Sequence, residues 1–246
     1  VAKREDPSRP TAMAVTDGMA RETSPASSKR LNDIPDVLGL NLYFGWYYGT
    51  FADLGPFLDD VHVRHPNQGL MVSEYGAGTD ERVHAQNPVA FDFSVEHGEA
   101  FHRESFPQIQ ARDYMAGSAV WNFFDFGSAG RQDTKNAINQ KGLYYFDRTP
   151  KDLAFYYKAL LSDEPVLRLE RDHRYRRGYG SYPPGILLGR QGPRKVQVYT
   201  NADSVILRMN GRVWDGKVPE NGRAILDVFL SVSTVLEVEG FWGNER

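Results

Sequence analysis

Glu74 is the residue whose type and place most directly suggest chemistry. It lies near the end of the apolar run GLMVSEYG (69–76), followed at once by Tyr75 and Gly76. The C-terminal ends of parallel strands are where barrels and open α/β sheets place reactive groups. From position alone such a glutamate could equally cap a helix or pair with an arginine, and the neighbouring runs sharpen the choice. Asn41-Leu42-Tyr43 ends the run VLGLNLY (37–43), and Trp121-Asn122-Phe123 passes through SAVWNFFDF (118–126). Three successive strands then bring an amide, a phenol, a carboxylate and an indole to one rim. That set suits a sugar ring: a carboxylate for the anomeric centre, hydrogen bonds for hydroxyls and an aromatic platform for the ring face. Aromatic residues form 13% of the chain and concentrate in 41–51, 121–126 and 144–157.

The elements that must carry these groups alternate. TAMAVTDG (11–18), VLGLNLY, GLMVSEYG and SAVWNFFDF are short β-branched, aromatic and aliphatic runs bounded by Gly, Pro, Asn or Asp, the pattern of buried parallel strands. Between them lie helical stretches at 51–63, with Phe51, Leu54, Phe57, Leu58 and Val61 on one face, and at 93–113, opened by Ser94. A third helix is expected at 151–161 behind Pro150. Strand and helix alternating at this spacing predict βα units, either in a doubly wound sheet or in part of a (β/α)8 barrel.

After Leu161 the pattern changes. Residues 163–195 are rich in Arg, Pro and Gly and read as a linker; VQVYTN (196–201), SVILRMNGR (204–212), AILDVFL (224–230) and STVLEVEG (233–240) then alternate as strands of a small β-sandwich. Turns are expected at Asn201-Ala202-Asp203, Asn210-Gly211 and Glu220-Asn221-Gly222. A complete (β/α)8 barrel needs ~250 residues and eight strands. Only four are found before the sandwich, so the expected alternatives are an open sheet or the second half of a barrel.

Composition limits the classes. With 41% hydrophobic and 25% charged residues the 246-residue chain is ordinary for a globular protein, and its net charge of −3 supplies no field to gather nucleic acid or an anionic membrane. The absence of cysteine excludes disulfides and thiolate chemistry and leaves the redox compartment undetermined. No stretch approaches the ~20 apolar residues of a membrane-spanning helix. His62, His65, His84, His97, His102 and His173 lack i, i+4 metal geometry and read as solvated surface residues. The arginines of 168–177 are interleaved with Glu170 and Asp172, as in a solvated linker. Gly127-Ser128-Ala129-Gly130 lacks the Lys-Ser/Thr of a phosphate loop and reads as the flexible start of a loop.

Several ordered motifs carry a family resemblance. Asp6-Pro7-Ser8-Arg9-Pro10, Asn41-Leu42-Tyr43-Phe44-Gly45-Trp46-Tyr47, Ser73-Glu74-Tyr75-Gly76-Ala77, Val120-Trp121-Asn122-Phe123-Phe124-Asp125-Phe126, and Asn139-Gln140-Lys141-Gly142-Leu143 followed by Asp147-Arg148 resemble, in this order, the retaining glycoside hydrolases of family 2. Phe91-Asp92-Phe93-Ser94 and the run KDLAFYYKA (151–159) look most like the bacterial β-galactosidases of that family. The likeness spans residues 6 to about 165 and continues more loosely through Val198-Tyr199-Thr200-Asn201 and Met209-Asn210-Gly211.

The resemblance implies an α/β fold: the C-terminal half of a TIM (β/α)8 barrel, strands five to eight, over residues 1–162, a linker at 163–195, and part of an immunoglobulin-like sandwich over 196–246. It implies hydrolysis of terminal non-reducing β-D-galactosides by double displacement, with a β-glucuronidase or a non-catalytic carbohydrate-binding fragment as the alternatives. Glu74 then matches the nucleophile; Asn41, Tyr43, Trp46 and Tyr47 match the segment lining the site, with Tyr43 or Tyr75 hydrogen-bonding Glu74. Trp121 matches the floor beneath the sugar, and Asn139 and Lys141 match contacts to its far hydroxyls, or to its carboxylate in β-glucuronidases. No metal or cofactor is implied within the chain, and the expected partner is a carbohydrate, not nucleic acid or membrane. The family's acid/base, the Glu of an Asn-Glu pair ahead of the Asp-Pro-x-Arg-Pro segment, has no counterpart: Glu5 lacks both the Asn and a strand. The chain alone is therefore expected to be inactive and to need the first half of the barrel, or oligomerisation, to close it.

Overall fold

A computed structural model describes residues 2–21, 32–85, 87–170, 193–229 and 234–243. They form two compact units, 1–142 and 143–246. The long helix of the second unit thus groups with the sandwich, whereas the expected division lay at residue 162.

The first unit is built on four strands, β1 (Ala12–Thr16), β2 (Val37–Asn41), β3 (Gly69–Tyr75) and β4 (Met115–Val120), all parallel and adjacent in chain order. Central β2 buries Leu38, Gly39 and Leu40 in succession, as a strand covered on both faces must. The outer strands differ: β1 buries only Val15, and β4 keeps no residue fully buried. Helices α1 (Ala2–Glu5) and α2 (Asp17–Arg21) are single turns. A 3-10 turn at Phe51–Asp53 leads into α3 (Leu54–Arg64), which turns Leu54, Phe57, Leu58 and Val61 inward as its spacing predicts. Helix α4 (Val95–Gln110) starts where Ser94 caps it, its hydroxyl accepting from the His97 amide at 3.1 Å.

Three expectations need correction in this unit. Strand β4 begins at Met115 and ends at Val120: beyond it the Trp121 amide bonds Tyr75 O and the Asn122 amide bonds Lys141 O, so residues 121–126 have left the sheet. The Gly127–Gly130 stretch is not simply loose, because β5 (Phe126–Gly127) pairs antiparallel with β6 (Ile138–Asn139) and makes residues 128–137 a hairpin loop. None of the histidines among the described residues is exposed. His65, His97 and His102 are buried, the last two on the inner side of α4, and His62 stacks flat on Tyr114 at 4.0 Å. Among the described residues no cluster could hold a metal ion, and no helix is long and apolar enough to cross a membrane.

The second unit opens with α5 (Asp152–Leu161), followed by β7 (Leu167–Leu169), β8 (Pro193–Thr200), β9 (Ser204–Met209), β10 (Arg212–Lys217), β11 (Arg223–Phe229) and β12 (Leu236–Phe241). They make two three-stranded antiparallel sheets, β11-β8-β7 and β10-β9-β12. Val196, Val198, Val205, Leu207, Leu226 and Val228 form the core between the strands. Two strands escaped the sequence pattern. β7 lies in the expected linker, and β10 buries none of its residues, so it carries no apolar period; the Asn210-Gly211 turn, both residues at positive φ, folds it back on β9. Most of the arginine-rich run 168–177, with His173, lies outside the described residues.

Candidate active site

The ends of β2 and β3 are in register, Asn41 opposite Glu74, and the Leu42 amide donates to Glu74 O at 2.8 Å. This ladder carries Tyr43, two residues past β2, alongside the Glu74 side chain. The Tyr43 hydroxyl donates to Glu74 Oε2 at 2.7 Å. Burial, and then the adjacent Glu74, push the Tyr43 phenol well above its ordinary range, so it remains a protonated donor. Of the two tyrosines expected to serve Glu74, Tyr43 does so. Tyr75 is buried against His102 of α4. Asn41 accepts from the Ser73 hydroxyl at 2.7 Å.

After Tyr43 the chain turns tightly, with the Tyr43 amide held by the Tyr48 hydroxyl and Gly45 at φ +80 against the Phe51 ring. The turn presents Tyr47 outward, 43% exposed, and buries Trp46 at 1%. Trp46 was expected to line the site, but it underlies it instead. Phe91 stacks on its ring at 4.8 Å, Phe93 meets it edge-on, and the Lys141 ammonium sits 5.5 Å from its centroid. His97 fixes this turn from α4: its Nε2 lies 2.9 Å from Gly45 O, which can only accept, so Nε2 carries the proton. Burial lowers the pKa of that imidazole and keeps it neutral.

Trp121 follows β4 directly. Its carbonyl oxygen occupies the space that a Cβ on Gly76 would need, so only glycine allows the segment after Glu74 to pass. The Asn122 amide then reaches Lys141 O, which ties the Trp121 segment to the strand end carrying Asn139, Gln140 and Lys141, all buried. Asn139 Oδ1 accepts from the Lys141 amide at 3.2 Å. Lys141 Nζ donates to Tyr47 Oη at 2.8 Å and lies over the Tyr47 and Tyr43 rings at 4.9 and 5.8 Å. Burial lowers the ammonium's pKa, and the Tyr47 bond offsets this only in part. Burial acts to raise the Tyr47 phenol, yet bonds from Lys141 and Arg131 outweigh it and leave the phenol below its usual range.

The structure thus brings Asn41, Tyr43, Glu74, Tyr47 and Lys141 into one connected set, with Asn139 and Trp121 bonded through the backbone to its edge. Arg131, which donates to Tyr47 Oη at 3.2 Å, is an addition that the sequence pattern passed over. Its signal was an arginine in the loop just ahead of Asn139. Glu5 is exposed on α1 and paired with Arg4.

No family model matches the sequence. The chain is nonetheless similar, in sequence and in fold, to glycoside hydrolases of family 2, and a carboxylate and a phenol at parallel strand ends beside a buried lysine are in keeping with that class. The relatives are chiefly β-glucuronidases. The chain is 37% identical to a β-glucuronidase of Bacteroides fragilis over 178 residues, 69% of this chain and 24% of that protein. A Bacteroides uniformis β-glucuronidase crystal structure superimposes with a TM-score of 0.81 at 34% identity, covering 97% of this chain and 29% of that one. A B. fragilis protein with a provisional β-galactosidase name gives 0.79 at 27% identity, covering 99% and 35%. The chain spans about a quarter of the length of the curated relatives it matches.

Proposed function

We propose that residues 1–142 carry the nucleophile side of a retaining β-glucuronidase site, within the C-terminal half of a (β/α)8 barrel whose chain continues into an immunoglobulin-like sandwich. One Glu74 oxygen attacks the anomeric carbon while the glycosidic C–O bond breaks; the leaving oxygen takes a proton from an acid that this proposal assigns outside these 246 residues. Water, deprotonated by the same group, then hydrolyses the glycosyl ester and frees Glu74. Tyr43 bonds the second Glu74 oxygen, Asn41 serves a ring hydroxyl, and Trp121 is the platform.

The observation that carries the sugar assignment is Lys141. Its ammonium is buried, rests on aromatic rings and one phenol, and has no carboxylate ion pair among the described residues. A buried cation without a counter-charge is costly, and a substrate carboxylate beside Asn139 and Lys141 supplies one; a galactoside hydroxyl does not. The two segments that favoured a galactoside have structural duties instead. Asp92 accepts from the Ser94 amide at the cap of α4, and 151–159 falls mostly in α5, whose Leu153, Ala154, Tyr156, Tyr157 and Ala159 are buried in the second unit. The names of the relatives lend support in the same direction. The test is kcat/KM for nitrophenyl β-glucuronide against β-galactoside, in the longest polypeptide in which this sequence occurs. A preference for the glucuronide is expected, and a preference for the galactoside overturns the assignment.

A further inference from the structure

Two phenylalanines of the segment after β3 hold positive φ, Phe91 at +67 and Phe93 at +58. Such a backbone is strained for a bulky residue, so each position calls for a compensating gain. Phe93 has one. Its ring is buried, meets Trp46 edge-on at 5.1 Å and lies against Gly78, and its carbonyl accepts from the Asp80 amide at 2.9 Å. Phe91 has less. Its ring stacks on Trp46 at 4.8 Å and stands 5.3 Å from Tyr47, yet the residue stays 50% exposed.

The chain around Phe91 imposes the strain. The Asp92 amide donates to Val89 O at 3.2 Å and closes a tight turn whose third residue is Phe91, a place that with positive φ ordinarily takes Gly or Asn. Asp92 fixes this turn from two sides, its Oδ2 accepting from the Val89 amide at 2.9 Å and its Oδ1 from the Ser94 amide at 2.7 Å, at the cap of α4. Val89, Ala90 and Phe91 are all exposed. The sequence thus keeps a large ring where a small residue would relax the turn, and displays it beside Tyr47, whose hydroxyl bonds Lys141.

What that ring offers is hydrocarbon, which gives nothing to a carboxylate or a hydroxyl and stacks well on a flat apolar face. The polar groups of the sugar are met by Asn41, Glu74 and Lys141 in the proposed site. When a terminal sugar is cleaved, the part of the substrate beyond it is the group that departs on the anomeric oxygen. We propose that Phe91 is a specificity-determining residue for this leaving group, stacking on a flat ring, aromatic or sugar, next to the anomeric oxygen. This rests on the β-glucuronidase assignment and adds to it a residue whose strain the fold alone does not repay.

The experiment measures kcat/KM, which covers the steps in which the leaving group is still attached, for nitrophenyl β-glucuronide, a β-glucuronyl-glucose disaccharide and methyl β-glucuronide. Wild type, Phe91→Asn and Phe91→Tyr are compared in the longest polypeptide containing this sequence, each with a thermal melt. Asn tolerates the positive φ and removes the ring, whereas Tyr keeps it. Phe91→Asn is expected to lose about fivefold or more on a ring-bearing substrate and less than about twofold on the methyl glycoside, and to melt no lower than wild type. Phe91→Tyr should stay within about twofold of wild type on all three. A loss confined to the nitrophenyl substrate identifies an aromatic leaving group, and one confined to the disaccharide a sugar. Equal effects on the three substrates, a Phe91→Tyr that loses as much as Phe91→Asn, or a melting temperature of Phe91→Asn lowered by more than about 5 °C assigns the ring to the fold and overturns the inference, with the site assignment left standing. A wild type that hydrolyses none of the three overturns the assignment, and the inference with it.

Discussion

The Tyr43 hydroxyl lies 2.7 Å from Glu74 Oε2, joining the loop after β2 to the end of β3 across the Asn41–Glu74 register. Only one carboxylate oxygen is engaged in that bond. The phenol is held protonated by burial and by the carboxylate itself, so it acts as a fixed donor that aims Glu74.

Removing that donor should be felt in the rate. Tyr43→Phe is expected to lower kcat/KM by roughly 10- to 100-fold, the equivalent of a hydrogen bond of about 1.5–3 kcal/mol to a charged group. Steady-state kinetics with a melting curve on the same sample checks it. A variant keeping more than half of the wild-type rate would show that the bond contributes nothing in the transition state.

Glu74 itself is tested by chemistry. Glu74→Gln is expected to lower kcat by several orders of magnitude with the fold intact, and azide should restore turnover to Glu74→Ala by entering the space of the missing carboxylate. Retention of more than about a tenth of the wild-type rate would remove Glu74 from the nucleophile's role.

Asp80 gives a pH signature. Its side chain is fully buried; burial acts to raise its pKa, but the bidentate Arg82 bonds at 2.6 and 2.9 Å, with the Arg82 amide, hold it well below the ordinary 3.8. A depressed folded-state pKa means stability that is fully present above about pH 4 and is lost as pH falls through the folded value. Asp80→Asn should therefore cost about 1–2 kcal/mol at neutral pH, a difference that shrinks as the solution is acidified below pH 4. Denaturant melts from pH 7 to pH 3 decide it. A wild-type-minus-variant difference that stays constant down to pH 3 would sink the claim.

The sheet's outer strands make a prediction about association. Among the described residues β1 and β4 each pair on one side only, and Ala12, Ala14, Thr16, Ala116 and Ala119 on them are exposed. Unpaired parallel edges recruit further strands. The 246-residue chain is expected to self-associate, or to be rescued by a separate polypeptide supplying the preceding barrel strands. Size-exclusion chromatography with light scattering is the check, and a monodisperse monomer that melts cooperatively would contradict the expectation.

Local pattern alone located β2, β3, α3, α4 and α5 nearly to their ends, because each buries a continuous run or a helical stripe whose period is written in consecutive residues. It also singled out Glu74, Asn41, Tyr43 and Trp121 at or just beyond strand ends, whereas Tyr47, Asn139 and Lys141 were named only through the family resemblance. The strand β10 stayed hidden because it buries nothing and its place comes from the Asn210-Gly211 turn and the neighbouring β9. What the sequence by itself determined was therefore the alternation of elements and the chemical inventory at their ends. Tertiary structure alone decided that Tyr43 and not Tyr75 meets Glu74, that Trp46 lies beneath the site, and that Arg131 reaches Tyr47 from a loop 84 residues away. Periodicity reports which face of an element is buried, whereas these relations depend on which faces of separate elements meet. Contacts between residues far apart in the chain are set by the packing of whole elements, and no local spacing encodes them.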